Sequence, residues 1–249
     1  MLLGSLTSLS VDHITRNFQP EPITNPGNPA TMKVILTGAT GHIGGAVLQR
    51  LLTVPAVTSI IVLSRRELTI KNAKLKTIII KDFLHYDKDV LDQLAGAEAC
   101  IWVLGTPTQG KDVHNDMTFA ATKAFAENVL PTLEKGKQFR YLYTSGAAVV
   151  RDQDAGLWFL DKTRKLRGVV EIGVVDLEKQ HGEKWKSYIV RPAAVTTGKP
   201  LWSFVFGGWW IPKEELAAAM VDIAVNGGEK QTLESAELRQ RGQALLDQQ

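Results

Sequence analysis

Cysteine is the scarcest useful residue in this sequence: among 249 residues there is one, Cys100. That excludes an intramolecular disulfide framework and fits a reducing, cytoplasmic setting. Cys100 sits inside the apolar run ACIWVLG, where it reads as a small core residue. Charge of one sign is also lacking, since 29 Lys and Arg stand against 26 Asp and Glu for a net charge of +3. No long block of like charges marks a nucleic-acid or membrane surface, so neither partner is expected. The densest basic cluster, KTRKLR from Lys162 to Arg167, reads as a solvated helix face. No apolar run approaches the length of a membrane-spanning helix. The five histidines and one cysteine show no metal-ligand spacing, and no G-x-S-x-G nucleophile elbow occurs, so no metal is expected.

The first 31 residues lack periodicity of any kind. Their Ser, Thr, Asn and Pro content, with PEPITNPGNP in the second half, predicts a disordered N-terminal extension. Met32, directly before the first strand-like run, marks where ordered chain is expected to begin.

What is present from Lys33 onward is an alternation of strand-like and helix-like segments. KVILTG, SIIVLSR, KTIIIKDF, EACIWVLG, QFRYLYTSG and KSYIVRP read as six strands. Between them HIGGAVLQRLLTV, the run from Val113 to Lys135, and Asp161 to about Lys179 read as helices. Two more helices are expected over Lys213 to Asn226 and about Gln231 to Leu246. The strands are apolar throughout instead of alternating, which requires both sheet faces to be covered. The expected fold is therefore α/β, a doubly wound, mostly parallel sheet in one domain over residues 32–249. Residues 196–249 form a small substrate-side part of loop and helices.

The most specific motif is TGATGHIGG at the junction of the first strand and the first helix. Gly38 permits the sharp turn, Gly41 lets backbone approach a pyrophosphate, and Gly44 lets the helix pack close to the sheet. Thr40, His42 and Ile43 fill the rest of the turn, and the helix N-terminus offers free N–H groups to phosphate. No Gly-Lys-Ser/Thr follows, which disfavours a nucleoside-triphosphate site. About twenty residues further on, VLSRRE places Arg65 and Arg66 where an NAD site would carry an acid. A guanidinium suits a 2′-phosphate, so NADP(H) is favoured over NAD(H). Glu67 next to them could instead reach a ribose hydroxyl.

Taken in order, TGATGHIGG, SRRE, KDF, VLGT, YTSG and IVRPAAV resemble the atypical short-chain dehydrogenase/reductase superfamily of Rossmann proteins. The nearest flavour is its NmrA-like and nucleoside-diphosphate-sugar-epimerase-like branch, and the likeness runs from Met32 to about Asn226. By that resemblance Asp82 and Phe83 border the adenine, and Leu104 and Gly105 border the adenosine ribose. Thr144 and Ser145 end the fifth strand beside the nicotinamide, and the loop from Arg191 and Pro192 passes near the carboxamide.

The resemblance also implies a Tyr-x-x-x-Lys pair for proton transfer, and this sequence has none. Its four tyrosines, Tyr86, Tyr141, Tyr143 and Tyr188, are followed four residues later by Val90, Ser145, Ala147 and Pro192. Two registers compete for the vacant place. RGVVE puts Arg167 at the lysine position and Thr163 at the tyrosine position, whereas the other register uses Trp158 and Lys162. In either, the cation holds the ribose or is exposed helix surface. Ser145 is a candidate hydroxyl for a substrate oxygen, or it satisfies its own turn. His114, Asp154 and Asp161 are further candidates by position alone.

PLWSFVFGGWWIP concentrates Trp202, Phe204, Phe206, Trp209 and Trp210 in one glycine-broken span. It reads either as a lid over a small apolar or aromatic substrate or as packing against the C-terminal helices or a second copy. Three functions follow from these readings. One is an NADP(H)-dependent oxidoreductase acting on a small, fairly apolar carbonyl or imine. The second is a non-redox cofactor-sensing regulator of the NmrA-like kind, and the third a biosynthetic cyclase or isomerase on the same scaffold.

Overall fold

The computed structural model describes residues 31–105, 111–156, 158, 161–198 and 209–248, with the backbone alone for residues 111–114, 161 and 163. The expected N-terminal extension and the middle of the aromatic loop lie outside the described residues.

Seven parallel strands form one sheet. They are β1 (Met32–Thr37), β2 (Val57–Ser64), β3 (Leu75–Ile79), β4 (Ala99–Trp102), β5 (Phe139–Thr144), β6 (Trp185–Arg191) and, after the short strands β7 (Ala194–Thr196) and β8 (Trp210–Pro212), β9 (Thr232–Glu234). Their order is β3-β2-β1-β4-β5-β6-β9, and every neighbouring pair is parallel. β7 and β8 pair parallel with each other outside this sheet. The helices are α1 (His42–Thr53), α2 (Lys88–Leu94), α3 (Lys111–Asn128), α4 (Asp161–His181), α5 (Lys213–Asn226) and α6 (Ser235–Leu246).

The continuous apolar strands are explained by two cores. On one face Val34, Leu36, Ile60, Val62, Ile101 and Leu142 pack against Val47, Leu48 and Leu51 of α1 and Leu216, Met220 and Ile223 of α5. On the other, Ile35, Ile61, Cys100, Trp102, Tyr141 and Ile189 meet Phe125 of α3 and Val170 and Val174 of α4. Successive strand residues point to opposite faces, so neither face can be polar. α5 thus completes a layer beside α1, and α6 adds Leu238 to the same core.

Several boundaries differ from expectation. The long helix stops at Asn128, because Pro131 cannot donate into a helix and starts a short 3-10 turn over Leu130–Thr132 instead. The last helix begins at Ser235, and Thr232–Glu234 joins β6 as a seventh strand. α2 falls in a segment too short and polar to stand out by periodicity. The third strand ends at Ile79, which leaves Asp82 and Phe83 in the following loop.

Candidate functional site

The order of the strands reverses between β1 and β4, and at such a switch point their carboxyl ends open a crevice. Both strand ends are held there. Val103 N–H, just past β4, donates to Thr37 Oγ1 at 3.0 Å, and Thr37 is wholly buried. Gly38 follows with a φ of 70°, and a Cβ there would lie 2.5 Å from Val103 O. A side chain would push the two strand ends apart, so glycine is required on both counts. Gly44 faces back on this turn, where a Cβ would stand 2.1 Å from Gly38 O. The glycines thus press the first turn of α1 onto the end of β1.

Helix α1 opens with unusual freedom. Its N-cap, Gly41, brings no side-chain cap, and no acid lies in the first turn. The first helical bond is Gly45 N–H to Gly41 O at 2.9 Å, so the amides of His42, Ile43 and Gly44 precede the intrahelical ladder. These donors and the dipole suit an anion. Thr40, Gly41 and His42 are exposed, and Ile43 is half-buried against the α1-side core.

At the end of β2, Arg65 and Arg66 are both exposed. Arg66 N–H reaches Ser64 Oγ at 3.3 Å, and neither guanidinium forms an ion pair among the described residues. The residues expected to border the adenine, Asp82 and Phe83, lie in the loop after β3. Asp82 Oδ1 accepts Leu84 N–H at 2.8 Å and Oδ2 lies 2.9 Å from His85 Nδ1. Those bonds, the backbone one foremost, hold the Asp82 carboxyl below its usual range. The Phe83 side chain is buried edge-on against Trp102, so any ligand contact it offers is main chain. Leu104 packs on the α3-side core, and Gly105 has open space where a Cβ would be.

The carboxyl ends of β5 and β6 carry a second arrangement that sequence reasoning did not find. Glu171 of α4 is fully buried. Its carboxylate accepts Ser145 Oγ–H at 2.5 Å, Arg151 Nε–H at 2.7 Å, and Arg191 Nε–H and Nη2–H at 2.9 and 2.5 Å. Arg191 also pairs with Glu234 at 3.0 Å, and Arg151 Nη2–H donates to Thr232 Oγ1 at 2.9 Å. Glu171 thereby holds the Arg191 charge above its ordinary pKa. Arg191, at the start of the loop expected to pass near a carboxamide, is clamped between two carboxylates. Pro192 is buried, and its carbonyl accepts Ala147 N–H at 3.0 Å. Beside this network Thr144 Oγ1 is buried with no hydrogen-bond partner among the described residues. The signal for Glu171 was available as an acid four residues after Arg167 on one helix face; its two arginine partners, each twenty residues away, were not legible.

Of the two registers for the missing pair, the structure brings Arg167 to the sheet edge. Its Nη1 lies 3.5 Å from where a Cβ of Gly146 would be, and among the described residues it has no ion-pair partner. The backbone allows this approach at Gly168, where a Cβ would meet Val150 O at 1.9 Å. Lys162 is exposed, and Trp158 stands 96% exposed. The side chains of His114, Asp161 and Thr163 lie outside the described residues. Asp154 is exposed and its N–H caps Asp152 Oδ1.

The four phenols are held in the core or bonded to the backbone. Burial pushes Tyr86 and Tyr141 well above the ordinary tyrosine range, and pushes Tyr143 up to about 12 against the opposing charge of Arg167. Tyr188 is taken up by Gly228, whose carbonyl and N–H both bond its hydroxyl. Of the loop aromatics, Trp210 is buried in β8 under the Arg239 guanidinium at 5.1 Å, so it packs against α6. Trp209 is exposed, and Trp202, Phe204 and Phe206 lie outside the described residues. Among the described residues no cluster of His, Cys, Asp or Glu could hold a metal, and no helix is long and apolar enough to cross a membrane.

This architecture, a parallel sheet covered by helices on both faces, is a Rossmann-like α/β fold. No family model matches the chain, and no curated protein matches it in sequence. Solved structures do match in fold. Uronate dehydrogenase from Agrobacterium tumefaciens superposes with a TM-score of 0.62 at 12% identity, over 83% of this chain and 77% of that one. Gre2 of Candida albicans in complex with NADPH gives 0.60 at 17%, over 82% and 77%. The oxidoreductase ylbE from Lactococcus lactis gives 0.60 at 16%, over 87% and 97%.

Proposed function

We propose that the chain is an NADP(H)-dependent oxidoreductase of the atypical short-chain type, acting on a small, fairly apolar carbonyl or imine without a Tyr-x-x-x-Lys pair. The observation that carries this reading is the uncapped, acid-free first turn of α1, pressed by Gly38 and Gly44 onto the β1–β4 switch point. The residues fit a dinucleotide. The amides of His42, Ile43 and Gly44 would hold the diphosphate, and Arg65 and Arg66 the 2′-phosphate. Thr144, with its orphaned buried hydroxyl, and Arg167 stand at the nicotinamide end. When bound, the nicotinamide supplies hydride chemistry; the chain orients it and excludes water. The dehydrogenases and reductases that share the fold support an enzyme, and the single buried cysteine supports a cytoplasmic setting.

A specific observation keeps a second reading in view. Every tyrosine is buried or bonded away, which favours a non-redox NADP-binding role, as regulator or as cyclase or isomerase, that runs without a phenol. Calorimetry with NADPH and NADH tests the binding, and cofactor oxidation across aldehydes, ketones and imines separates the two roles. Consumption of NADPH by any of them selects the oxidoreductase. Tight binding with no consumption selects the other, and no heat from either coenzyme sinks both.

A further inference from the structure

The contact between Ser145 and Glu171 has only one chemically allowed direction. A carboxylate bonded by two guanidinium groups accepts hydrogen bonds and donates none. At 2.5 Å the proton between the two oxygens therefore comes from Ser145. The backbone N–H of Ser145 is also used, on Val190 O at 2.8 Å. What Ser145 has left, at the carboxyl edge of β5 and with 7% of its surface still exposed, is lone pairs.

We infer that Glu171 is a positioning residue that fixes Ser145 as a hydrogen-bond acceptor, so the ligand group meeting it is a donor, O–H or protonated N–H, and not a carbonyl oxygen. This rests on reading that edge as the substrate end, as proposed above. A carbonyl oxygen there would face another oxygen with no proton between them and would lose its bonds to water without replacement. A hydroxyl fits better than a charged nitrogen, because Arg167 lies over Gly146, the next residue, and opposes a second positive charge. The alcohol form of a substrate is thus held more firmly than its ketone form.

The test uses the full chain and three probes of one shape: cyclohexanol, cyclohexanone and cyclohexylammonium, titrated by ligand-observed NMR with and without NADP+. The alcohol is expected to bind about tenfold tighter than the ketone. Ser145→Ala should bring the two within about twofold. Glu171→Gln, whose amide can donate to Ser145 Oγ and free the hydroxyl proton, should shift preference toward the ketone. Should Glu171→Gln not fold, Ser145→Ala decides alone. If cyclohexylammonium binds tightest, the acceptor role of Ser145 stands and the preference for a hydroxyl, argued from Arg167, is overturned. Equal or tighter ketone binding by the parent chain, no binding of any probe, or a preference that survives Ser145→Ala overturns the inference. Calorimetry with NADP+ alone reports separately on the cofactor reading, so each can fail without the other.

Discussion

The β1–α1–β2 half and the β5–α4–β6 half of this molecule treat charge in opposite ways. In the first, donors and cations are left open: three helix amides precede the hydrogen-bond ladder, and Arg65 and Arg66 stand exposed without ion pairs among the described residues. In the second, the buried carboxylate is closed on itself, with Glu171 saturated by Ser145, Arg151 and Arg191, while Arg167 on the same helix stays without an ion pair among the described residues. An open set of donors suits a ligand that arrives with its own negative charge. A closed network gives rigidity and a fixed direction to each proton, but has none to spare for a reaction. An open set of donors and a closed network thus sit along one sheet edge.

The sharpest way to break this comparison is to open the closed half. Glu171→Ala opens a buried void, leaves Arg191 with Glu234 alone and Arg151 with Thr232 alone, and should cost about 3 kcal/mol of stability, read by denaturant unfolding. A loss under about 1 kcal/mol would mean the network is not the anchor of that half. Next comes Gly44→Ala, whose Cβ would overlap Gly38 O and force α1 off the turn. About 2–3 kcal/mol of stability and nearly all NADPH affinity should go. Gly168→Ala, with a similar backbone collision at Val150 O, should cost comparable stability. Because it lies in the other half, it should leave NADPH affinity within about tenfold, measured by calorimetry on the folded fraction.

A smaller effect sharpens the open half. Arg65→Ala with Arg66→Ala should weaken NADPH by about ten- to a hundredfold and NADH by less than about threefold. Equal losses for both coenzymes would falsify the 2′-phosphate assignment. The smallest expected effect concerns Glu178 on α4. Partial burial pushes its carboxyl up, but bonds from Lys186, Gln231 and Ser187 N–H outweigh this and leave it below its ordinary 4.5. Since the folded pKa is depressed, the stabilisation is present above about pH 4.5 and lost as pH falls through the folded value. Glu178→Gln should therefore flatten the acid limb of the stability curve by about 0.5–1 kcal/mol, followed by thermal unfolding from pH 7 to 3. An unchanged acid limb counts against it.

Particular residues show what was legible. The six long strands were readable because Val, Ile and Leu fill both faces, a pattern that only a doubly covered sheet tolerates. Gly38 and Gly44 were readable because their spacing within a strand-to-helix turn is itself the constraint. β9 was not: Thr232–Glu234 is three residues long and becomes a strand only because β6 offers an edge. The burial of the Phe83 side chain was not legible either, because Trp102, which packs on it edge-on, is brought there only by the folded sheet.

The sequence by itself determined the layered α/β architecture and the anion-shaped turn at its first strand, because both depend on local periodicity and on backbone freedom within a few residues. Only the tertiary structure decided which cation reaches the sheet edge and which way the Ser145 proton points. Arg151 comes from a loop and Glu171, Arg191 and Glu234 from three separate elements, and their charges interact through distances that exist only once the sheet has closed.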